Sequence, residues 1–276
     1  MGWLMNKTTD DEFISHSGQE IRHELRNKDI KAFRFMFPNL VTILAICSGF
    51  SGIGSALEGR HEKAVCMVLI AAFLDGIDGR IARFMKATSK FGEHLDSLAD
   101  VINFGMAPAL VSYIAVLNKA NTFGWSVALM YTIATSLRLA RFNTMNECGM
   151  KEIWQDEYFT GVPAPLGAIL LMLPLYISFL GIEISGIYIG IAIVYSIMVG
   201  FLLCSRLPVW SGKIFNGAIR KDLVLPIILC VVPYIVFMIH FVWEVIIFSV
   251  FFYITILLPF SYYYWYKKYG KIKKQL

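Results

Sequence analysis

The chain has 276 residues, of which 57% are hydrophobic and only 16% are charged, and its net charge is +5. A soluble domain of this length would carry about a quarter charged residues, so the composition favours a membrane protein. The small positive charge gives no reason to expect a nucleic-acid partner. The five cysteines are scattered and lack metal-ligand spacing, so we interpret them as small core hydrophobes.

The chain begins with a polar, mixed-charge segment, residues 1–36, which we expect beside the membrane. Apolar segments of spanning length, about 20 residues each, follow it. They predict eight transmembrane helices, near 38–57, 64–85, 92–117, 122–142, 161–180, 184–204, 222–241 and 243–264. The predicted fold is therefore an all-α, polytopic membrane bundle over residues 37–265, followed by a basic tail, 266–276. Prolines in the last two segments leave a shallow hairpin open as an alternative.

The distribution of positive charge predicts the orientation of this bundle. With a cytoplasmic N-terminus, the outer loops contain 3 of the 25 Lys and Arg residues, namely Arg60, Lys63 and Lys119. The other basic residues lie on the inner side, as the positive-inside rule requires. We therefore expect both termini, and a site near residues 75–100, on the cytoplasmic side of a bacterial-type inner membrane.

The first predicted span opens with Pro38, which a helix start tolerates because its missing N–H would be unpaired there. Asn39 and Thr42 follow at i,i+3 spacing and share one helix face. Their side chains could hydrogen-bond a nucleotide. A simple interfacial helix cap is the alternative interpretation.

Four aspartates lie within the second and third apolar segments. Asp75 and Asp78 are three residues apart, and Asp96 and Asp100 are four apart, so each pair shares a helix face. Ionisable groups at membrane depth are expensive and persist mainly beside a partner, a metal or a polar cavity. Two helices that present such pairs to one another predict a site for a hard divalent cation, Mg²⁺ or Mn²⁺. An internal salt bridge, for instance between Asp78 and Arg83, is the plainer alternative.

The residues around the acids suit a phosphorylated ligand. Gly79 leaves the helix surface bare beside Asp78, and Arg83 could neutralise a phosphate one turn further along. Ser89 lies in the turn between the two acid pairs, where it could also cap the third helix. His94 is off the Asp96 and Asp100 face, so we expect a structural role for it.

This region resembles the CDP-alcohol phosphotransferase motif at every defined position: Asp75-x-x-Asp78-Gly79-x-x-Ala82-Arg83, eight residues, Gly92-x-x-x-Asp96-x-x-x-Asp100. The resemblance implies a metal-dependent enzyme that moves a phosphatidyl-type group from a CDP-activated lipid to an alcohol. It implies that the four acids hold the metal, that Asp100 is the general base, and that the protein is a homodimer. It also implies a CDP-lipid site formed by Asn39, Thr42, Gly79, Ala82, Arg83 and Ser89.

Two further blocks, Leu137 to Asn143 and Phe159 to Pro165, resemble the phosphatidylserine synthase branch of this family. That resemblance covers about residues 35–180 and implies CDP-diacylglycerol and L-serine as substrates. Arg138 and Arg141 are three residues apart, and arginine forks pair well with carboxylates and phosphates. We therefore expect them to bind the acceptor or a lipid phosphate. Two snorkelling arginines at the membrane boundary are the alternative.

The motif defines the donor chemistry more closely than the acceptor. Glycerol phosphate, inositol phosphate and choline are therefore alternative acceptors within the same family. A transporter would also place acids in membrane helices, but it would need a polar path through the bilayer, and the acids here cluster towards one side.

Overall fold

The computed structural model describes residues 36–85, 89–147, 157–210 and 221–269. The predicted N-terminal segment lies outside these ranges except for Met36, and only residues 266–269 of the predicted basic tail lie inside them. The boundaries of the predicted domains therefore stay predictions.

The described residues form an almost entirely helical structure, which confirms the all-α class. The helices are α1 Met36–Leu57, α2 His61–Phe84, α3 Lys90–Asp100, α4 Ala107–Ala115, α5 Thr122–Glu147, α6 Ala164–Leu171, α7 Leu173–Phe179, α8 Gly186–Cys204, α9 Lys221–His240, α10 Val242–Phe252 and α11 Leu258–Tyr269. Two π-helical segments, Val101–Met106 and Tyr253–Leu257, join α3 to α4 and α10 to α11. A short 3₁₀ turn, Leu117–Ala120, precedes α5.

The chain is a membrane protein. In its described part, four helical stretches are long and apolar enough to cross a bilayer: Met36–Leu57, Lys90–Ala115, Gly186–Cys204 and Val242–Tyr269. The remaining predicted spans also lie on helices, α2, α5, the α6–α7 pair and α9. The count of eight spans, their orientation and the shallow hairpin stay predictions.

Helix α2 buries small residues, and helix α8 exposes large ones. On α2 the buried positions include Ala64, Val68 and Ala71, which recur at helical spacing and let neighbouring helices approach closely. On α8 the large side chains of Ile187 and Phe201 are 80% and 70% exposed. This pattern is typical of helices that pack through small residues and present large apolar side chains to lipid.

The π-helical segment after α3 has an identifiable cause. Pro108, in the first turn of α4, has no N–H, so it cannot donate to the carbonyl of Phe104 four residues earlier. The hydroxyl of Tyr131 on α5 donates to that carbonyl instead, at 3.1 Å. Backbone groups freed inside a membrane must find such partners. This contact therefore ties α5 to the helix that carries Asp96 and Asp100.

The chain segment that leads into α6 packs against the C-terminal end of α8. A two-stranded antiparallel sheet pairs β1, Tyr158–Thr160, with β2, Pro208–Trp210. Directly after β1, the N–H of Gly161 donates to the carbonyl of Leu207 at 2.8 Å. Gly161 has φ +77°, a left-handed conformation that glycine adopts without steric cost. The fifth predicted span thus begins at a tight crossing of two backbone segments.

We predict that Gly161→Ala is far more damaging than Gly181→Ala. Both glycines have positive φ, +77° and +83°, so both variants carry the left-handed penalty of ~1–2 kcal/mol. At Gly161 a Cβ would also lie 2.7 Å from the carbonyl oxygen of Ser205, whereas at Gly181 it would meet open space. Thermal unfolding in detergent should show a modest loss for Gly181→Ala and little folded protein for Gly161→Ala. Equal losses would contradict the importance of the crossing.

Candidate active site

Helices α2 and α3 bring three carboxylates together. Asp75, Asp78 and Asp96 each offer an oxygen such that all three oxygens lie within 4.8 Å of one another. Asp78 is only 3% exposed, and Oδ1 of Asp75 is buried without a hydrogen-bond partner. We call these three residues the carboxylate cluster.

The carboxylate cluster fits the divalent metal that its family motif implies. Three negative groups at this distance in an apolar bundle repel one another strongly unless a cation lies between them. Carboxylate oxygens are the ligands that hard cations prefer, and the buried, unpartnered oxygen of Asp75 is available as one of them. The oxygen-only donor set suits Mg²⁺ and Mn²⁺ alike.

The fourth acid, Asp100, lies outside this cluster, one turn further along α3 from Asp96. Its negative charge acts on the carboxyl group of Asp75. The guanidinium of Arg138, from α5, is near enough to attract its charge. Asp100 therefore connects the carboxylate cluster to the arginine-bearing helix.

Helix α1 contributes a hydrogen bond that holds Asp78 in place. The hydroxyl of Thr42 lies 2.7 Å from Oδ2 of Asp78 and 3.2 Å from the carbonyl of Pro38. Thr42 is 5% exposed, so this contact is shielded from water. A hydrogen bond from a hydroxyl stabilises the ionised carboxylate and fixes its orientation.

A cavity of about 380 Å³ lies against this site, between α1, α2 and the start of α3. Its walls contain all six residues predicted to bind the CDP-lipid, together with two members of the carboxylate cluster. The lining residues are Pro38, Asn39, Thr42, Asp78, Gly79, Ala82, Arg83, Ser89, Gly92, Glu93 and Asp96. Residues that are far apart in sequence thus form one polar pocket.

Two glycines shape this cavity. A Cβ on Gly79 would meet no atom within 4 Å, so the backbone of α2 is bare towards open space. A Cβ on Gly92 would lie 3.0 Å from Oδ1 of Asn39 and 3.2 Å from Oγ of Ser89. Gly92 therefore lets both polar side chains approach the start of α3.

The alternatives left open for Ser89 and Arg83 can now be weighed. Ser89 does cap α3, since its Oγ accepts a hydrogen bond from the N–H of Gly92 at 3.0 Å, and it also lines the cavity. Arg83 donates to the carbonyl of Gly79 at 3.1 Å. In the described ranges it forms no ion pair with Asp78, so the plain salt-bridge interpretation is not supported.

Arg138 and Arg141 have different surroundings although they lie on one helix. The Nε atom of Arg138 is buried without a hydrogen-bond partner. Arg141 instead donates to the carbonyls of Cys204 and Ser205, at 3.0 and 3.2 Å. Their spacing alone had indicated that the two guanidinium groups are equivalent. Their different surroundings show that they are not.

The sequence analysis did not predict a role for Glu93 or Asn103. Glu93 lines the cavity, and its position three residues before Asp96 could have indicated this. Asn103 is fully buried in the π-helical segment, and neither its Oδ1 nor its Nδ2 has a partner. A polar residue in an apolar run just after Asp100 was the available signal. His94 is exposed on α3 and is not among the residues that line the cavity, so its structural role stays a prediction.

Comparison with known proteins agrees with the motif. Residues 35–202 match the CDP-alcohol phosphatidyltransferase family, and the chain belongs to this family.

Its similar relatives include enzymes with serine in their names. The chain is 43% identical over 137 residues to the CDP-diacylglycerol–serine O-phosphatidyltransferase of Mycobacterium tuberculosis, which covers 50% of this chain and 48% of that relative. It is 33% identical over 193 residues to the protein of the same name from Helicobacter pylori, covering 66% and 77%. It is 31% identical over 171 residues to the archaetidylserine synthase of Methanothermobacter thermautotrophicus, covering 61% and 69%. The chain spans about half the length of the mycobacterial relatives that it matches.

We predict that Thr42→Val weakens metal binding by the carboxylate cluster. Valine keeps the shape of threonine but cannot donate to Asp78, and loss of such an outer contact lowers metal affinity by about 10–100-fold. Mn²⁺ binding to the purified protein, followed by electron paramagnetic resonance, measures the change. Thr132→Val is the matched control, because the Thr132 hydroxyl bonds only the carbonyl of Ala128 in its own helix. Equal Mn²⁺ affinity in the two variants would contradict the assigned role of Thr42.

Proposed function

We propose that the protein transfers the phosphatidyl group of CDP-diacylglycerol to the hydroxyl of L-serine, giving phosphatidylserine and CMP. The observation that carries this proposal is the cavity in which the predicted CDP-binding residues meet Asp78 and Asp96. The names of the relatives support serine as the acceptor.

Asp75, Asp78 and Asp96 would hold Mg²⁺ or Mn²⁺, with Asp100 as a further ligand. When bound, the divalent cation would neutralise charge on the pyrophosphate and polarise the phosphoryl group that is attacked. The Thr42 hydroxyl keeps the Asp78 carboxylate oriented for this task.

The CDP part of the donor would occupy the cavity. Its volume of about 380 Å³ falls in the range of roughly 300–1,000 Å³ that is usual for small-molecule sites. Asn39 and Ser89 present polar atoms at one wall, and Arg83 places a positive charge where a phosphate can approach. Gly79 and Ala82 leave space for the ligand to lie against α2.

Asp100 would be the general base. As the serine oxygen forms its bond to phosphorus, Asp100 takes the hydroxyl proton, and the phosphorus–oxygen bond to CMP breaks with its electron pair going to CMP. The position of Asp100 suits this role because it lies beside the carboxylate cluster and faces α5 rather than the CDP cavity. Helix α5, which carries Arg138 and Arg141, would supply positive charge on the acceptor side of Asp100.

The membrane setting is part of the proposal. Eight spans over residues 37–265, with cytoplasmic termini flanking them, would place the site where soluble serine meets a lipid donor. The positive-inside distribution supports this orientation in a bacterial-type inner membrane. A homodimer is proposed from the family resemblance.

An acceptor screen tests this function. Purified protein with CDP-diacylglycerol and Mg²⁺ or Mn²⁺ should release CMP far faster with L-serine than with glycerol 3-phosphate, inositol phosphate or choline. Release should stop when EDTA removes the metal. Faster turnover with another alcohol would disprove serine as the acceptor. CMP release without metal would contradict the role of the carboxylate cluster.

The acids should not be equivalent when each is changed to asparagine. Asp100→Asn is nearly isosteric and should lower kcat more than about tenfold, a barrier increase above ~1.4 kcal/mol, while CDP-diacylglycerol binding persists. Asp75→Asn should weaken both, because it removes a member of the carboxylate cluster. Metal-dependent binding of CDP-diacylglycerol and CMP release measure the two effects. A kcat for Asp100→Asn above a tenth of the wild-type value would exclude it as the base.

A further inference from the structure

The end of α5 is held at two points beyond Arg138. The first is Arg141, whose two terminal nitrogens donate to consecutive carbonyls, those of Cys204 and Ser205, where α8 ends. A helix C-terminus carries unpaired carbonyls and partial negative charge, so a guanidinium fork fits it well. This contact engages both terminal nitrogens of Arg141 with backbone carbonyls.

The second point ties α5 to the helix of the acids. Nδ2 of Asn143 donates to Oγ of Ser97 at 2.9 Å. Ser97 follows Asp96 directly on α3. The last turns of α5 are thus fastened to α8 through Arg141 and to α3 through Asn143.

The end of α8 is itself held by backbone hydrogen bonds from the segment that precedes α6. Gly161 crosses it with positive φ, and its N–H bonds the carbonyl of Leu207 at 2.8 Å. The N–H of Val162 also contacts the carbonyl of Leu202, at 3.5 Å. The two sequence blocks that resemble the phosphatidylserine synthase branch therefore dock on one structural element.

Of the two arginines on α5, Arg138 is the one with a buried donor that has no partner. Its Nε is buried without a hydrogen-bond partner, and the negative charge of Asp100 acts on its guanidinium. A buried guanidinium with an unused donor favours a second anion, and a carboxylate matches the fork of Arg best.

We infer that Arg141 is a positioning residue: it fastens α5 to the end of α8 so that Arg138 faces Asp100, and Arg138 alone meets the acceptor carboxylate. This inference rests on the proposed function, because it presumes an amino-acid acceptor. The inference gives different roles to Arg138 and Arg141, which their spacing in the sequence had grouped as one pair.

The test compares L-serine with L-serinamide, in which a neutral amide replaces the carboxylate. Wild-type protein should prefer L-serine in kcat/KM. Arg138→Gln should lose most of this preference, by about 10–100-fold, because a charge-assisted hydrogen bond is removed. Arg141→Gln should lower kcat with both acceptors by a similar factor and keep the wild-type preference. Arg141→Lys, which retains a donor for the carbonyls, should recover part of the lost kcat.

Two controls separate positioning from general damage. CDP-diacylglycerol binding by Arg141→Gln should match the wild type, because α1, α2 and α3 line the cavity without α5. Arg60→Gln removes an arginine from an exposed ion pair with Glu58 and should leave both acceptors unaffected. If Arg141→Gln does not fold, Arg141→Lys carries the test through its acceptor preference and kcat.

The outcomes are distinguishable. Loss of the serine preference in an Arg141 variant would show direct contact with the acceptor, and wild-type kinetics in Arg141→Gln would show that it positions nothing. Either result overturns the inference while the proposed function stands. No CMP release by the wild type with L-serine would overturn the proposed function itself, and the inference with it.

Discussion

The arrangement of the helices depends on one electrostatic constraint: carboxylates held close together inside an apolar bundle. Asp75, Asp78 and Asp96 offer oxygens within 4.8 Å of one another, where mutual repulsion is far stronger than in water. The three carboxylates form an oxygen-only donor set that fits a divalent cation, and such a cation would offset their repulsion. A hydroxyl from α1 hydrogen-bonds Asp78, and the positive charge of Arg138 on α5 acts on Asp100. Helices α1, α2, α3 and α5 therefore all contribute side chains at or beside the carboxylate cluster.

Helical periodicity made much of this site predictable. The spacing of three between Asp75 and Asp78 defines one face of α2, and the residues that line the cavity from the same helix, Gly79, Ala82 and Arg83, follow within two turns. Hydrophobic segment lengths likewise indicated where helices lie. These features are local, so a single sequence carries them. The family resemblance placed Thr42 in the CDP-lipid site, but its hydrogen bond to Asp78 on α2 was not predicted, because spacing within a helix gives no information about which helix lies next to it.

The parts that could not be predicted depend on contacts between distant segments. Arg138 and Arg141 share a face by spacing, yet one meets the acid site and the other meets the end of α8, because α8 runs along α5 and ends beside Arg141. The π-helical segment depends on Tyr131, 27 residues away, which bonds the carbonyl that Pro108 leaves free. The break between α6 and α7 follows from Pro174 in the first turn of α7. For the two arginines and the π-helical segment the deciding partner is remote in sequence, whereas Pro174 acts locally.

These contacts divide the site into two halves that meet at Asp100. The half formed by α1, α2 and α3 carries the cavity with Asp78 and Asp96, and the defined positions of the family motif, Asp75 to Asp100, lie on its α2 and α3. The other half is α5, which the end of α8 and Ser97 hold in place. Among the residues that the structure describes, α5 contributes none to the lining of the cavity. We therefore expect substitutions near Arg138 to leave the donor pocket intact. The motif, which lies on α2 and α3, then identifies the donor chemistry, whereas the proposed acceptor residues lie on α5.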